Sequence, residues 1–146
     1  MMLIPLTTRL QDDEVVSLLG QSVFPDPAAI EKAVALYRDD PHHELYGLEF
    51  EGALVGLAGI AMGRGEPGTL QLRHIAVHPD HRDKGFGRDM VVALIPMKQP
   101  ERIVAETDDE AVDFYRNIGF TIESLGELYP GVERFACTYV TDEEEE

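Results

Sequence analysis

Residues 72–94 read LRHIAVHPDHRDKGFGRDMVVAL, and this stretch decides the fold of the 146-residue chain. The mostly apolar run over residues 70–77 predicts a strand, which the turn signal His78-Pro79-Asp80 closes. Apolar residues then recur at helical spacing from Met90 to Ile95, and Pro96 is expected to end or kink that helix. The stretch therefore predicts a strand, a turn and a helix in succession.

The turn itself, residues 82–88, contains two glycines, Gly85 and Gly87. Glycines at the start of a helix let the backbone turn tightly and direct several N–H groups into one volume, at the positive end of the helix dipole. This predicts an anion-binding site suited to a phosphate group. A P-loop or a dinucleotide fingerprint needs other glycine spacings, and neither pattern is present. Three cationic side chains add to the attraction: Arg82, Lys84 and Arg88.

Patterns elsewhere predict a mixed sheet flanked by helices, not an all-α or all-β protein. Strands are predicted over residues 1–8, 43–49, 53–62, 70–77, 102–107, 120–125 and 133–140. Helices are predicted between Asp12 and Gly20, between Asp26 and Asp39, after Gly87, and between Asp108 and Gly119, with Asp108 as the cap of the last one.

Length and composition predict one domain over residues 1–141, followed by an all-acidic tail over residues 142–146 that is expected to be disordered. Cys137 is the only cysteine, so no internal disulfide forms and a cytoplasmic location is expected. Its apolar surroundings favour a buried side chain over a nucleophile. No signal peptide and no membrane-spanning segment is predicted.

The net charge of −16 argues against nucleic acid as a partner, because the field of the protein would repel phosphates. It is expected to attract a cationic substrate such as an amine; alternatively, the charge only keeps the protein soluble. The five histidines match no zinc spacing, so no metal site is predicted.

A second motif, Ala111-Val112-Asp113-Phe114-Tyr115-Arg116-Asn117-Ile118-Gly119-Phe120, follows about thirty residues after the first. It is similar to the signature Ala-x-x-Phe/Leu-Tyr-x-x-x-Gly-Phe of the GNAT superfamily of N-acetyltransferases. Residues 77–87 likewise resemble the acyl-CoA-binding motif of that family, Arg/Gln-x-x-Gly-x-Gly/Ala after a strand that ends in Val-x-Pro. The resemblance covers about residues 45–140.

The resemblance implies a GNAT-like α+β fold, with a mostly antiparallel mixed sheet of six or seven strands and about four helices. The two central strands, residues 70–77 and 102–107, would splay apart around acetyl-CoA. Its pantetheine arm would bond to the backbone of Ile75, Ala76 and Val77, and its pyrophosphate would lie on Arg82, Asp83, Lys84, Gly85, Phe86, Gly87 and Arg88. Asp108 stands where the family more often has an asparagine in contact with the cofactor.

The catalytic acid implied by the resemblance is Tyr115, which would protonate the leaving thiolate. The positions at which relatives carry a glutamate base hold Gln71 and Ile103 here, and neither accepts a proton. His74 or, through a water, Glu106 are the remaining candidates for the base. Strict alternation places His74 on the strand face opposite Gln71, and a hydrogen-bonded core histidine is the alternative role. An amine already neutral in bulk water would need no base.

The expected function is acetyl transfer from acetyl-CoA to a primary amine by direct attack in a ternary complex. The acceptor would be a small molecule or a peptide amine, and a homodimer is left open. One alternative is a CoA-binding regulatory module without transfer activity, which the missing glutamates suggest. A generic nucleotide-binding α/β domain is disfavoured by the glycine spacing.

Overall fold

The computed structural model describes residues 3–22, 26–63 and 65–141. Its seven strands form one sheet in the order β1-β2-β3-β4-β5-β7-β6. All neighbouring pairs are antiparallel except β4 and β5, which are parallel. The strands are β1 (Leu3–Pro5), β2 (His43–Phe50), β3 (Ala53–Met62), β4 (Thr69–Val77), β5 (Arg102–Asp108), β6 (Thr121–Tyr129) and β7 (Val132–Val140), and the helices are α1 (Asp13–Ser22), α2 (Pro27–Asp39), α3 (Phe86–Lys98) and α4 (Val112–Asn117).

The two faces of the sheet are covered differently. One buried cluster joins α3 and α4 to the sheet, through side chains such as Leu72, Met90 and Ile103. The other cluster joins α1 and α2 to the half of the sheet that ends at β4, through side chains such as Leu19 and Leu57. None of the residues in this second cluster comes from β5, β6 or β7, so the helices on this face cover only one half of the sheet.

The parallel pair β4 and β5 separates after three residues, as the family resemblance implied. Residues 69–71 of β4 pair with residues 102–104 of β5, and no further pairs follow. Beyond that point β5 continues beside β7 alone. Backbone groups of residues 72–77 that point towards β5 therefore have no strand partner in the described part of the chain. Apart from the carbonyl of Val77, which accepts a hydrogen bond from Arg82, they are available to a ligand.

A β-bulge at Arg73 changes which side chains share a face of β4. Gly59 of β3 pairs with His74 and the next residue, Ile60, pairs with Leu72, so Arg73 is the extra residue. The bulge reverses the alternation that the sequence predicted. His74 therefore lies on the same face as Gln71, and the prediction that they lie on opposite faces was wrong because it assumed a regular strand.

The N-terminal elements differ from the prediction in two places. Strand β1 ends at Pro5 and a 3₁₀ turn follows over Thr7–Arg9, whereas a strand over residues 1–8 was expected; residues 1 and 2 lie outside the described part. Helix α1 continues past Gly20 to Ser22. An added Cβ at Gly20 would lie 3.2 Å from Cδ1 of Ile30, so this glycine is explained by close packing against α2 and does not end the helix.

Further differences concern the later elements. Helix α3 continues past Pro96 and ends at Lys98. Because Pro96 lies two residues before the end of the helix, it disturbs only the last turn. Helix α4 begins at Val112, and Asp108 ends β5 instead of capping that helix. The closing hairpin is longer than predicted, with β6 reaching Tyr129. The acidic tail, residues 142–146, lies outside the described residues.

Candidate functional site

A cavity of about 480 Å³ lies beside the end of β4, between the start of α3 and helix α4. Ten of the residues singled out in the sequence line it: Ile75, Ala76, Val77, Arg82, Asp83, Gly85, Phe86, Gly87, Arg88 and Tyr115. The fold thus brings the two sequence motifs, which are about thirty residues apart, to one site. Gln21 of α1 and Asn117 of α4 also line it, and the sequence analysis did not single them out.

The start of α3 has the geometry expected of an anion-binding site. Gly85 precedes the helix with φ +81°, and no side chain caps the helix. The first amide to bond back is that of Asp89, which donates to the carbonyl of Gly85 at 2.9 Å. The N–H groups of the preceding residues of the first turn have no intrahelical partner. They are therefore available to an anion at the positive end of the helix dipole.

Gly87 lets the helix start approach α4 closely. A Cβ added there would lie 2.9 Å from Cε1 of Phe114, which is closer than side chains tolerate. Phe114 itself lines the cavity. The absence of a side chain at Gly87 therefore keeps both the ring of Phe114 and the open amides of the first turn in place.

The cationic residues of this segment have different roles. The Arg82 side chain donates from Nε to the carbonyl of Val77 at 3.2 Å and from Nη2 to Oε1 of Gln21 at 3.0 Å. It therefore ties the end of β4 to α1. Arg88 lines the cavity, and its guanidinium forms no hydrogen bond or ion pair with a described residue. Lys84 is exposed and lies outside the lining, so its contact with a ligand stays a prediction.

Tyr115 is buried at the α4 side of the same cavity. Its ring makes edge contacts with Phe114 and Phe120, at centroid distances of 5.1 and 5.3 Å. Burial raises the pKa of Tyr115 to about 12, so the phenol keeps its proton at neutral pH. The hydroxyl bonds to none of the described residues, so it is free to donate a hydrogen bond to a ligand.

Asp108 has a local role in the turn before α4. Its Oδ1 accepts hydrogen bonds from the amides of Glu110 at 3.0 Å and Ala111 at 3.2 Å. It stabilises the turn between β5 and α4 and is not among the residues that line the first cavity. Its contact with a cofactor therefore remains a prediction based on the family resemblance.

A second cavity, of about 420 Å³, lies where β4 and β5 begin to separate. It is lined by Gln71, Leu72, Arg73, His74, Val104, Ala105, Glu106, Arg134, Ala136, Cys137 and Thr138. The lining of this cavity on β4 ends at His74, and the lining of the first cavity begins at Ile75. The two cavities therefore follow one another along β4, and both candidate bases, His74 and Glu106, belong to the second.

His74 is held by Tyr37 of α2, whose hydroxyl lies 2.5 Å from Nδ1 of His74. Burial, with smaller effects of Arg73 and His43, lowers the pKa of His74 to about 4, so its ring is neutral at physiological pH. Burial also raises the pKa of Tyr37 well above its usual range, so this phenol remains a donor. Nδ1 then accepts and Nε2 carries the ring proton. This arrangement favours the role of a hydrogen-bonded core histidine over that of a base.

His43 completes a buried polar cluster that the local sequence gave no reason to expect. Its ring packs edge-on against Tyr37 at 5.9 Å, and Nδ1 lies 3.4 Å from Oδ1 of Asp40. Neither ring nitrogen has a hydrogen-bond partner among the residues that the structure describes. Glu106 differs, because it is exposed and its carboxylate forms no ion pair within the described residues.

Within residues 3–22, 26–63 and 65–141, no three His, Cys, Asp or Glu side chains are grouped so that they would hold a metal ion. In the same ranges, no helix has both the length and the apolar character needed to cross a membrane. Cys137 is fully buried, as expected from its sequence context.

Comparisons with known proteins agree with this geometry. Residues 10–120 match the model of the acetyltransferase (GNAT) family. The N-alpha-acetyltransferase RimI of Mycobacterium tuberculosis is 30% identical over 125 residues, which are 83% of this chain and 76% of that protein. A GNAT-family protein from Desulfovibrio desulfuricans has a similar fold, with a TM-score of 0.81 and 18% identity, over 96% of this chain and 98% of the other. A GNAT-family acetyltransferase from Elizabethkingia anophelis, solved with acetyl-CoA bound, has a TM-score of 0.69 and 18% identity, over 95% and 97% of the two chains.

Proposed function

Because the chain belongs to the acetyltransferase (GNAT) family, and is therefore an acyltransferase, we propose that it transfers an acetyl group from acetyl-CoA to a primary amine. The amine attacks directly, within a ternary complex of protein, acetyl-CoA and acceptor. One observation carries the proposal: a single cavity is lined by the start of α3, by the end of β4 where its edge is unpaired, and by Tyr115.

The cofactor end of this cavity suits the parts of acetyl-CoA. The first turn of α3 offers amides to the pyrophosphate, and Arg88 adds a positive charge that no carboxylate of the described residues neutralises. Gly87 leaves room at the same place. Residues 75–77 offer backbone groups to the amides of the pantetheine arm, in the way that a strand binds its neighbour.

The transfer itself needs stabilisation of an oxyanion and of the leaving thiolate. Backbone N–H groups on the open edge of β4 would bond to the thioester oxygen as it gains charge. As the new C–N bond forms and the C–S bond breaks, Tyr115 donates its proton towards the sulfur, and the nitrogen releases one proton to water or to a base. Burial keeps Tyr115 protonated for this step, since its pKa is about 12.

The acceptor would enter through the second cavity, which continues from the first along β4. A primary amine as acceptor is consistent with the name of the mycobacterial relative, an N-alpha-acetyltransferase. Glu106 is the better candidate for a base, acting through a water, because the ring proton of His74 occupies Nε2. A cytoplasmic location is part of this proposal and rests on the single, buried cysteine.

A CoA-binding module without transfer activity is the second candidate function. It is favoured by Gln71 and Ile103, which stand where relatives carry the glutamate base and accept no proton. Both functions predict that CoA binds, so acetyl transfer to an amine separates them. A nucleotide-binding role predicts that ATP binds instead.

The first experiment measures the thermal unfolding midpoint with acetyl-CoA, CoA or ATP, for the wild type and for Arg88→Glu. We expect a rise of several degrees with both CoA species, because a ligand that binds only the folded state stabilises it. Arg88→Glu is expected to lose most of the rise by repelling the pyrophosphate. Lys32→Glu, on the exposed side of α2, carries the same change of charge at a residue that lines neither cavity, and it serves as the control.

Release of free CoA with a panel of amines then tests the transfer. Acetylation of any amine, lost in Tyr115→Phe, supports the acetyltransferase. A stabilising effect of CoA without acetylation of any amine supports the module. A stabilising effect of ATP but not of CoA contradicts both.

A further inference from the structure

The arginines of this acidic chain fall into two groups. Most of those that the structure describes are occupied: Arg9, Arg38, Arg102 and Arg116 pair with carboxylates, and Arg82 bonds to Val77 and Gln21. Arg73, Arg88 and Arg134 form no ion pair or hydrogen bond with a described residue. Each of these three lines one of the two cavities. In a chain with 28 acidic residues, unpaired guanidiniums confined to cavities indicate sites for anions.

In the proposed function, the pyrophosphate of acetyl-CoA pairs with the charge of Arg88. Arg73 and Arg134 line the second cavity instead, and the proposed function gives them no partner. Arg73 is the extra residue of the bulge in β4. The next residue, His74, is bonded to Tyr37 of α2, so Arg73 lies beside the contact between β4 and α2. Arg73 thus contributes a cation to the lining of the second cavity.

Arg134 approaches the same cavity from the other side, on β7. It stands opposite Asp108 in the register with β5, but the Asp108 carboxylate is bonded to the amides of Glu110 and Ala111. Glu106 lies two residues before Asp108 on β5 and therefore on the same face. Among the described residues, Glu106 is the only carboxylate that lines the cavity, and His74 is neutral there. The lining therefore carries a net positive charge although the chain is strongly acidic.

We propose that the acceptor of this enzyme is a small amine that also carries a carboxylate, of which a free amino acid is the simplest case. Arg73 and Arg134 bind the carboxylate, and Glu106 attracts the ammonium group before it loses its proton. This inference rests on the proposed acetyl transfer and narrows its substrate. Guanidinium groups suit this role because they bind carboxylates through two parallel hydrogen bonds.

A polyamine or another purely cationic acceptor fits this cavity less well. It would meet two unpaired guanidiniums and a single carboxylate, so like charges would repel it at short range. The overall charge of −16 acts at longer range and is screened beyond about 10 Å at moderate salt. The local charges therefore decide which amine is accepted.

The test compares acceptors that differ only in the carboxylate. Each common L-amino acid is assayed beside its methyl ester, with acetyl-CoA as donor, and spermidine represents amines without a carboxylate. We expect at least one free amino acid to be acetylated with a kcat/KM at least tenfold above that of its ester. The ester amine is the less basic of the two and is neutral over more of the pH range, so a preference for the acid reports recognition of the carboxylate.

Two variants connect that preference to the residues. Arg73→Gln and Arg134→Gln are each expected to raise KM for the free acid about tenfold or more, with kcat and the ester rates little changed. Arg38→Gln is the control, because this arginine is exposed and pairs with Asp39 on the outer surface. Thermal unfolding of all three variants checks that they remain folded.

The possible results separate the two proposals. Acetylation of esters or spermidine as well as, or better than, any free acid overturns the carboxylate inference and leaves acetyl transfer in place. Unchanged KM in both cavity variants also overturns the inference. No acetylation of any amine in the panel overturns the inference together with the proposed transfer.

Discussion

The hydroxyl of Tyr37, on α2, lies 2.5 Å from Nδ1 of His74, on the bulged strand β4. The two rings also meet edge-on, at a centroid distance of 5.4 Å. This contact fixes the distance between helix and strand beside the second cavity. It also decides which nitrogen of His74 carries the proton, and it therefore bears on both the stability of the protein and its chemistry.

The low pKa of His74 makes stability depend on pH in a defined range. The value is about 4 in the folded protein and 6.5 in the unfolded chain, so the unfolded chain binds more protons between these two values. The contribution of His74 is fully present above pH 6.5 and is lost as the pH falls through 4. We expect the loss to be about 3 kcal/mol, since the pKa differs by about 2.5 units and each unit corresponds to 1.36 kcal/mol. Urea unfolding at several pH values between 4 and 7 measures it.

His74→Gln serves as the matched variant, because its amide oxygen still accepts from Tyr37 but does not titrate. The free energy of unfolding of the wild type should fall more steeply between pH 6.5 and 4 than that of the variant. Carboxylates elsewhere affect both proteins alike, so the difference isolates His74. If the free energy of unfolding depended on pH in the same way in both proteins, the ring of His74 would not be buried and neutral as described.

Gly59 is required by the same contact. A Cβ added at Gly59 would lie 1.8 Å from the hydroxyl oxygen of Tyr37, so Gly59→Ala must displace that ring. We expect a loss of about 1 to 3 kcal/mol in the free energy of unfolding, as for other overpacked interiors. Gly20→Ala is the control, because its Cβ would meet only the flexible end of Ile30 inside a helix, where alanine is favoured. An equal loss in the free energy of unfolding for both substitutions would contradict the conclusion that Gly59 makes room for the ring of Tyr37.

The parts of the site that are local in sequence could be predicted, and the parts that depend on register could not. The turn over residues 82–88 and Tyr115 lie in continuous motifs, and all of these residues except Lys84 line one cavity. The family resemblance also implied that β4 and β5 would separate, and they do. In each of these cases the chemistry depends on neighbours in the chain.

The acceptor side of the site depends on features that no local pattern encodes. The bulge at Arg73 shifts His74 to the face of Gln71. The residue types of β4 do not predict this bulge. The approach of Tyr37 to His74 joins residues 37 positions apart. Arg134 lines the same cavity as Glu106 only because of the register of β5 with β7. Periodicity gives the faces of regular elements, but such contacts are set by the packing of the whole chain.

Gly87→Ala is expected to weaken cofactor binding without preventing folding. The added methyl would lie 2.9 Å from Cε1 of Phe114, so this ring must shift into the cavity that it lines. We expect the Kd for acetyl-CoA to rise about tenfold, equivalent to 1.4 kcal/mol, measured by calorimetry. Phe114→Leu in the same protein removes the ring edge and should restore part of the affinity. An unchanged Kd in Gly87→Ala would contradict the proposed position of the pyrophosphate.

Tyr115→Phe tests the acid of the proposed transfer. Loss of the hydroxyl is expected to lower kcat by about 100-fold, at the lower end of the usual range for an acid catalyst. The reason is the pKa of about 12, which makes this phenol a weaker acid than a thiol of about 8.5, so it acts mainly by hydrogen bonding to the developing thiolate. Because the hydroxyl bonds to none of the described residues, stability and the Kd for acetyl-CoA should change little.

The pH dependence of the same step separates Tyr115 from a group of lower pKa. Since burial raises its pKa to about 12, Tyr115 stays protonated up to about pH 11, and kcat should rise with pH as the amine loses its proton. No falling limb is expected below that pH over the range in which the protein remains folded. A falling limb between pH 8 and 10 that persists in Tyr115→Phe would assign the acid to another residue. A falling limb in that range that disappears in Tyr115→Phe would instead show that Tyr115 is less buried than its contacts with Phe114 and Phe120 imply.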